Sequence, residues 1–330
     1  MIFGPVPVAQ AVGAVLAHSM PAASGRVQKG TVLSAAQVDD LAAHGHETLV
    51  VARLETGDVD ENTAAAALAG AVVPDPEAQG LRISAAGAGR VNLYAIGPGV
   101  VIIDADAVTA LNGVDPMITL ATVATYHRVE AGTMVATIKV ISYAVPQDHL
   151  SAACGQAAGA LSVSAPRYGA ATLIETQVGD APVSDKGRAA LAGRLDRLGL
   201  VLGPRVCVAH DTAALAAAIS EAAGDVVFIL TASATSDTHD VAPEGLRAAG
   251  GVVSVYGMPV DPGNLLFFGT FGTKPVIGLP GCARSPALNG ADWVMERLIC
   301  GVPLGQAEIS AMGVGGLLKE IPTRPRPRAT

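Results

Sequence analysis

The chain has 330 residues, half of them hydrophobic and 15% charged, which is enough to bury a sizeable core and to form two domains. A net charge of −8, with basic residues clustered only at Arg324, Arg326 and Arg328 beside prolines, excludes nucleic acid as an expected partner. No apolar run reaches the roughly 20 residues that a membrane-spanning helix needs, so no membrane role is expected.

Four cysteines, at positions 154, 207, 282 and 300, form no Cys-x-x-Cys pair, which speaks against a zinc ribbon, a redox motif or a disulfide scaffold. The N-terminus lacks the pattern of a signal peptide. Both observations fit a reduced, cytoplasmic setting. Aromatic residues make up only 3% of the chain, and Ala, Val, Leu and Gly carry the apolar load, a composition suited to close helix-on-sheet packing.

In chain order, residues 8–17 are predicted to be helical. Ser34-Ala-Ala-Gln37 opens a second helix as a capping box, and Gly45 stands where that helix should stop. Residues 47–52 read as a strand, and Asp60 caps an alanine-rich helix to about Ala69. Residues 74–80 form a loop. β-Branched runs follow from Val91 to Tyr143, interrupted by Gly97-Pro98-Gly99 and Asn112-Gly113, with one strand expected over 135–145 and a helix over 147–158. The first 150 residues are therefore an α+β region.

From Ala160 onward apolar runs alternate with helical stretches. Strands are expected at 171–176, 205–209, 226–231, 252–256 and 276–279, and helices at 184–198, 211–222, 243–249 and 285–300. Leu191, Leu195 and Leu198 share one face of the first of these helices. This alternation predicts an α/β domain over 160–320, a doubly wound and mainly parallel sheet, followed by a Pro/Arg tail at 321–330. In such sheets ligands bind beyond the carboxyl ends of the strands, which singles out the loops after Ile174, Leu230 and Leu279.

Three segments carry chemistry of interest. Thr231-Ala232-Ser233-Ala234-Thr235-Ser236-Asp237-Thr238-His239-Asp240 leaves a buried strand with small hydroxylated residues, which let backbone N–H groups approach an anion. An ordinary polar strand-to-helix loop has the same look. Pro280-Gly281-Cys282-Ala283-Arg284-Ser285 leaves another strand. Ser285 suits an N-cap and Pro286 a first helical position, so a helix start with Arg284 beside it would attract an anion and make the Cys282 thiol reactive. A plain capped turn with Cys282 filling space is the alternative. Gly257-Met258-Pro259 and Asp261-Pro262-Gly263-Asn264 fix a turn in which Asp261 and Asn264 either meet a ligand or bond within the turn. His44 with His46, and His210 with Asp211, are better explained as surface or capping groups. No Gly-x-Ser-x-Gly elbow, Walker loop or Gly-x-Gly-x-x-Gly fingerprint occurs.

Together these segments resemble the domain shared by molybdopterin adenylyltransferases and molybdopterin molybdotransferases, over roughly residues 160–304. The residues from Thr231 to Ser236 stand where that family has a Gly-Thr-Gly-Gly-Thr-Gly loop, and His239-Asp-Val-Ala-Pro-Glu244 stands where it has Arg-Asp-Val-Thr-Pro-Glu. Met258-Pro-Val-Asp-Pro-Gly-Asn264 and Leu279-Pro-Gly-Cys-Ala283 match the Lys-Pro-Gly-Lys-Pro and Leu-Pro-Gly-Asn-Pro positions, and Thr172-Leu-Ile-Glu-Thr176 matches the opening strand. Ala11-Val-Gly-Ala-Val-Leu-Ala-His18 and Gly25-Arg-Val-Gln-Lys-Gly-Thr-Val-Leu33 are similar to N-terminal segments of the molybdotransferases.

The resemblance implies a ligand, molybdopterin or the molybdenum cofactor, held by residues 231–236, 259–264 and 280–285. It implies catalytic roles for Asp237 and Asp240, with Asp240 holding a metal such as Mg²⁺. It further implies work in cofactor biosynthesis, modification or delivery, and a homo-oligomer. A transferase using Mg-ATP or molybdate is the first alternative, and a non-catalytic chaperone of a molybdenum enzyme or partner transferase is the second. The chain departs from the family where glycines are replaced by Ala232, Ser233, Ala234 and Thr235, and where asparagine is replaced by Cys282. These changes imply that pterin binding persists while the usual transfer chemistry is altered.

Overall fold

The computed structural model describes residues 1–179 and 182–318, so the Pro/Arg tail expected at 321–330 lies outside the described residues. The chain divides into two compact units: Met1–Gly97 with Val101–Val163, and Pro98–Val100 with the residues from Ser164 onward.

The first unit opens with β1 (Ile2–Pro7), β2 (Val15–Leu16), β3 (Met20–Ala22), β4 (Gly25–Val27), α1 (Ala35–Ala43) and β5 (Thr48–Arg53). The helix expected at 8–17 is absent. Val8–Gln10 makes one 3-10 turn, Gly13 takes a left-handed φ of +77°, and Val15 and Leu16 pair with Ala52 and Val51 of β5. Tertiary strand pairing outweighs the local helical pattern, because it buries Leu16 with Leu41, Leu49 and Val51 in one cluster. The capping box of α1 forms as expected, with Gln37 N donating to Ser34 Oγ at 3.3 Å and Ser34 N donating to Gln37 Oε1 at 3.0 Å.

There follow β6 (Asp58–Asp60), α2 (Glu61–Val72), β7 (Leu81–Ile83), β8 (Arg90–Ala95), β9 (Gly99–Ile103) and α3 (Ala105–Asn112). Then come β10 (Ile118–Thr122), β11 (Arg128–Val129), β12 (Met134–Val140), β13 (Ala144–Pro146), α4 (Gln147–Gln156) and β14 (Leu161–Ser164). Asp60 caps α2 by accepting from Asn62 N and Thr63 N. The buried stripe of α2 (Ala64, Ala65, Leu68, Ala69 and Val72) joins one core with Val91, Leu93, Ile138 and Val140 of the antiparallel sheet β10-β12-β8-β7. The single strand expected over 135–145 is two, because β12 pairs with β8 and β10 whereas β13 pairs with β6. Helix α3 is not evident from apolar periodicity; Asp104 starts it by accepting from Ala107 N at 2.9 Å.

The second unit contains β15 (Ala170–Gln177), α5 (Asp185–Asp196), β16 (Val201–Leu202), β17 (Val206–Ala209), α6 (Thr212–Glu221) and β18 (Val226–Leu230). It continues with α7 (Val241–Ala248), β19 (Val252–Tyr256), β20 (Phe267–Phe271), β21 (Lys274–Gly278), α8 (Gly290–Ile299) and α9 (Gln306–Ala311). The fold of this unit is mixed α/β. Strand β15 pairs in parallel with β16, β17 and β18, and β18 pairs in parallel with β21. Strand β20, unforeseen between the two expected final strands, then pairs antiparallel with both β21 and β19. One register row crosses the sheet through Val206, Ile174, Ile229, Gly278, Phe267 and Tyr256. In that row a Cβ on Gly278 would overlap the Phe267 ring, so glycine is required where the ring crosses the strand. Leu215 and Ile219 of α6 and Leu246 of α7 cover Ile174, Val227, Ile229, Phe267 and Val276 of the sheet.

Candidate functional site

Two antiparallel steps, from β21 to β20 and from β20 to β19, return β19 to the direction of β15, β18 and β21. The carboxyl ends of these four strands therefore lie along one edge of the sheet. The loops that leave this edge include all three segments singled out in the sequence. Direct bonds tie two of them to one another and to the edge. Arg284 donates to the Thr231 carbonyl at 2.6 Å, Tyr256 Oη donates to the Thr235 carbonyl at 3.0 Å, and Ala232 N donates to Thr176 Oγ1 at 2.9 Å. Thr176 Oγ1 also bonds His210 Nδ1 at 2.8 Å.

The segment 257–264 closes on itself through Met258 N donating to the Asn264 carbonyl at 3.0 Å. Its Pro262 carbonyl accepts from Gly290 N at 2.8 Å, which fixes it to the start of α8. Asp261 is committed elsewhere, since its backbone bridges to the segment 316–318. No hydrogen bond joins Pro259, Asp261, Gly263 or Asn264 to residues 231–236 among the described residues.

The loop from Thr231 to Asp240 is held at both ends and open in the middle. Thr231 and Thr235 are buried, whereas Ala232, Ser233 and Ala234 are exposed. The backbone N–H groups of Ser233, Ala234 and Thr235 have no acceptor among the described residues. Asp240 N-caps α7: Oδ1 accepts from Val241 N at 2.7 Å and Oδ2 accepts from Ser236 N at 2.9 Å. Asp237 Oδ1 accepts from His239 N at 2.8 Å. The hydrogen bond from His239, together with Arg247, holds the Glu244 carboxyl below the usual glutamate range. Among the described residues no group of three or more His, Cys, Asp or Glu side chains is placed to hold a metal ion.

The third segment corrects the expectation of a helix beginning at Ser285. Residues Gly281–Arg284 form a 3-10 turn, Ser285 is extended at φ −83° and ψ 142°, and α8 begins only at Gly290. Asn289 is the N-cap, in a box with Asp292: Ala291 N donates to Asn289 Oδ1 at 3.0 Å and Asn289 N donates to Asp292 Oδ2 at 2.8 Å. The cause is a residue from another helix. Arg194 of α5 is buried, pairs with Asp292, and donates to the carbonyls of Ala283 at 2.8 Å, Ser285 at 2.8 Å and Ala287 at 3.1 Å. Carbonyls turned onto one guanidinium are not available to a helix. The expected anion site at a helix start beside Arg284 is therefore not formed, and Arg284 is spent on Thr231. Cys282 lies in this 3-10 turn and not at the start of α8, and its Sγ accepts from Asn289 Nδ2 at 3.0 Å.

Several groups at this edge escaped the sequence reading. Arg194 interrupts the apolar face that carries Leu191, Leu195 and Leu198, and a charge on such a stripe is a legible sign of a buried partner. Glu175 is fully buried within β15, and Arg205 Nε lies 2.8 Å from its Oε2. Lys186, at the start of α5, has no anionic partner among the described residues, and its neighbour Gly187 lies against Leu230 and Arg284.

A family model described as a domain of unknown function (DUF8806) matches residues 5–53. No curated protein matches the chain. Among solved structures, a molybdopterin biosynthesis moeA protein from Pyrococcus horikosii is similar, with 15% identity over 91% of this chain and 75% of that one, at a TM-score of 0.31. A molybdenum cofactor biosynthesis protein B has 18% identity over 42% of this chain and 92% of that one, at a TM-score of 0.29. A second moeA structure, from Pyrococcus horikoshii OT3, has 11% identity over 93% of this chain and 76% of that one, at a TM-score of 0.25.

Proposed function

We propose that the strand-end edge of the second unit binds a molybdopterin-type pterin phosphate, and that the protein serves the making, modification or delivery of the molybdenum cofactor. The observation that carries this reading is the clamped loop with three successive uncommitted N–H groups, at Ser233, Ala234 and Thr235, on the edge where the family-like segments converge. Such a run of N–H groups suits a phosphate. Of the side chains that replace the family's glycines, those at 232–234 are exposed, so they need not fill the space against the backbone, whereas Thr235 is buried.

Binding is favoured over transfer because Asp240 already serves the fold as the N-cap of α7. Among the described residues no group of three or more His, Cys, Asp or Glu side chains gathers at this edge to hold Mg²⁺. The same proposal includes a reducing, cytoplasmic setting, self-association into a homo-oligomer, and hand-over to a molybdenum enzyme or cofactor transferase.

Anaerobic calorimetric titration of the purified protein with molybdopterin tests the reading. Saturable binding at micromolar concentration is expected. Ala234→Pro, which deletes one exposed donor, should weaken it about tenfold, the loss of one charge-assisted hydrogen bond. No binding at tens of micromolar, or unchanged affinity in Ala234→Pro, sinks the assignment.

A further inference from the structure

A concave site lies wholly within the first unit, and none of its residues belongs to the strand-end segments 231–240, 257–264 and 280–285. It is a cavity of about 350 Å³ lined by Lys29, Gly30, Glu61, Asn62, Ala88, Lys139, Ile141 and Tyr143. That volume is at the low end of the range for small-molecule pockets, roughly 300–1,000 Å³.

Its walls are assembled from four separate stretches of chain, and the contacts between them fix its shape. Glu61 N donates to the Tyr143 carbonyl at 3.0 Å, and Gly89 N donates to Asn62 Oδ1 at 2.9 Å. Lys139 Nζ donates to the Ala88 carbonyl and lies 3.7 Å from Glu61 Oε2. The turn that presents Ala88 is pressed tightly into place. Ala88 has a φ of +49°, rare for a residue with a side chain, and a Cβ on Gly89 would sit 2.6 Å from the Val140 carbonyl oxygen. Tyr143 Oη is spent on the Ala17 carbonyl at 3.0 Å, so its phenol is a fixed wall with a free lone pair.

What remains uncommitted is specific. Asp60 already satisfies the first donors of α2, so the site does not rest on the helix terminus. The Lys29 ammonium has no carboxylate partner, and Asn62 Nδ2 has no acceptor, among the described residues. Lys29 and Lys139 against Glu61 leave one net positive charge on the cavity wall. Donors outnumber acceptors, and the exposed side chain of Ile141 adds an apolar wall.

We propose that this cavity binds a small organic monocarboxylate, with Lys29 and Asn62 Nδ2 gripping the carboxylate and the Lys139–Glu61 pair as the rigid wall beside it. A monoanion neutralises the single excess charge, whereas a dianion is held off by Glu61. The proposal is independent of the pterin reading, because all of its residues lie in the first unit.

The test uses the full-length protein with butyrate and benzoate as probes, and inorganic phosphate as the comparison, at constant ionic strength and at about pH 8, where phosphate is mainly the dianion. Protein-observed NMR titration should give saturable shifts with both carboxylates. Lys29→Ala, a change at an exposed side chain, should weaken binding about tenfold, as expected for one lost charge-assisted contact. Glu61→Gln should tighten phosphate binding relative to butyrate, since it removes the opposing charge. No saturation up to about 20 mM, millimolar being the weak end of specific binding, overturns the proposal. So does an unchanged affinity in Lys29→Ala, or phosphate binding more tightly than both carboxylates to the wild-type protein.

Discussion

Arg194→Met deletes the guanidinium that holds residues 283–287 away from helical geometry. Arg194 and Asp292 have side-chain exposures of 4% and 9%, so solvent screens the pair little. Removing one partner of a buried ion pair typically costs about 3–5 kcal/mol, because the other charge is left uncompensated. Three backbone carbonyls, at Ala283, Ser285 and Ala287, lose their donor at the same time. The single tryptophan, Trp293, lies next to Asp292 in α8, so its fluorescence reports on this unit. With a urea dependence of about 2 kcal/mol per molar, the fluorescence-monitored midpoint should fall by roughly 1.5–2.5 M. Asp292→Asn should cost less in the Arg194→Met background than alone, with a coupling of about 1–3 kcal/mol. A loss below about 1 kcal/mol, or a coupling of zero, would refute the view that this pair organises the turn.

Gly278→Ala should destabilise the same unit by about 1–3 kcal/mol or more, read by the same fluorescence transition, because the new Cβ overlaps the Phe267 ring. A wild-type midpoint in that variant would show that the ring moves freely. In the first unit, His149 Nδ1 lies 2.7 Å from Asp115 Oδ2. The hydrogen bond to Asp115 raises the His149 pKa above 6.5. Burial alone would raise the Asp115 pKa, but the bonds from His149 and Met117 N outweigh it and the pKa falls below 3.8. The His149 contribution is therefore complete below pH 6.5 and lost as pH rises through its raised folded value. The Asp115 contribution is complete above pH 3.8 and lost as pH falls through its lowered folded value. Urea midpoints followed by circular dichroism should thus favour the wild type over His149→Gln most in mildly acidic buffer. A difference that grows toward pH 9 would contradict the pairing.

Elements whose signals are local were legible in the sequence. The Ser34–Gln37 box, and the caps at Asp60 and Asp211, each join a side chain to a backbone N–H no more than three residues away. The buried strand expected at 226–231 was legible for a similar reason, since the apolar run Val226–Leu230 has few alternatives to a sheet interior. Residues 8–17 misled because their apolar spacing suits a helix as well as a strand, and the choice fell to β5, more than thirty residues away. Strand β20 was hidden because the run 265–271 looks like the close of a turn until β21 pairs with it.

At the candidate site the sequence by itself determined the small hydroxylated loop at the end of β18. It determined this loop because a strand end follows from neighbours in the chain, whereas the role of Asp240 as the cap of α7 emerged only in the fold. Only the tertiary structure decided what those residues are free to do. Arg194 reaches the 283–287 turn from 89 or more positions away and displaces the expected helix start from Ser285 to Gly290. Arg284 crosses 53 positions to the Thr231 carbonyl, and Thr176 anchors Ala232 from 56 positions away. A charged side chain binds whichever carbonyls or carboxylates the fold brings within about 3 Å, and sequence spacing does not encode that meeting.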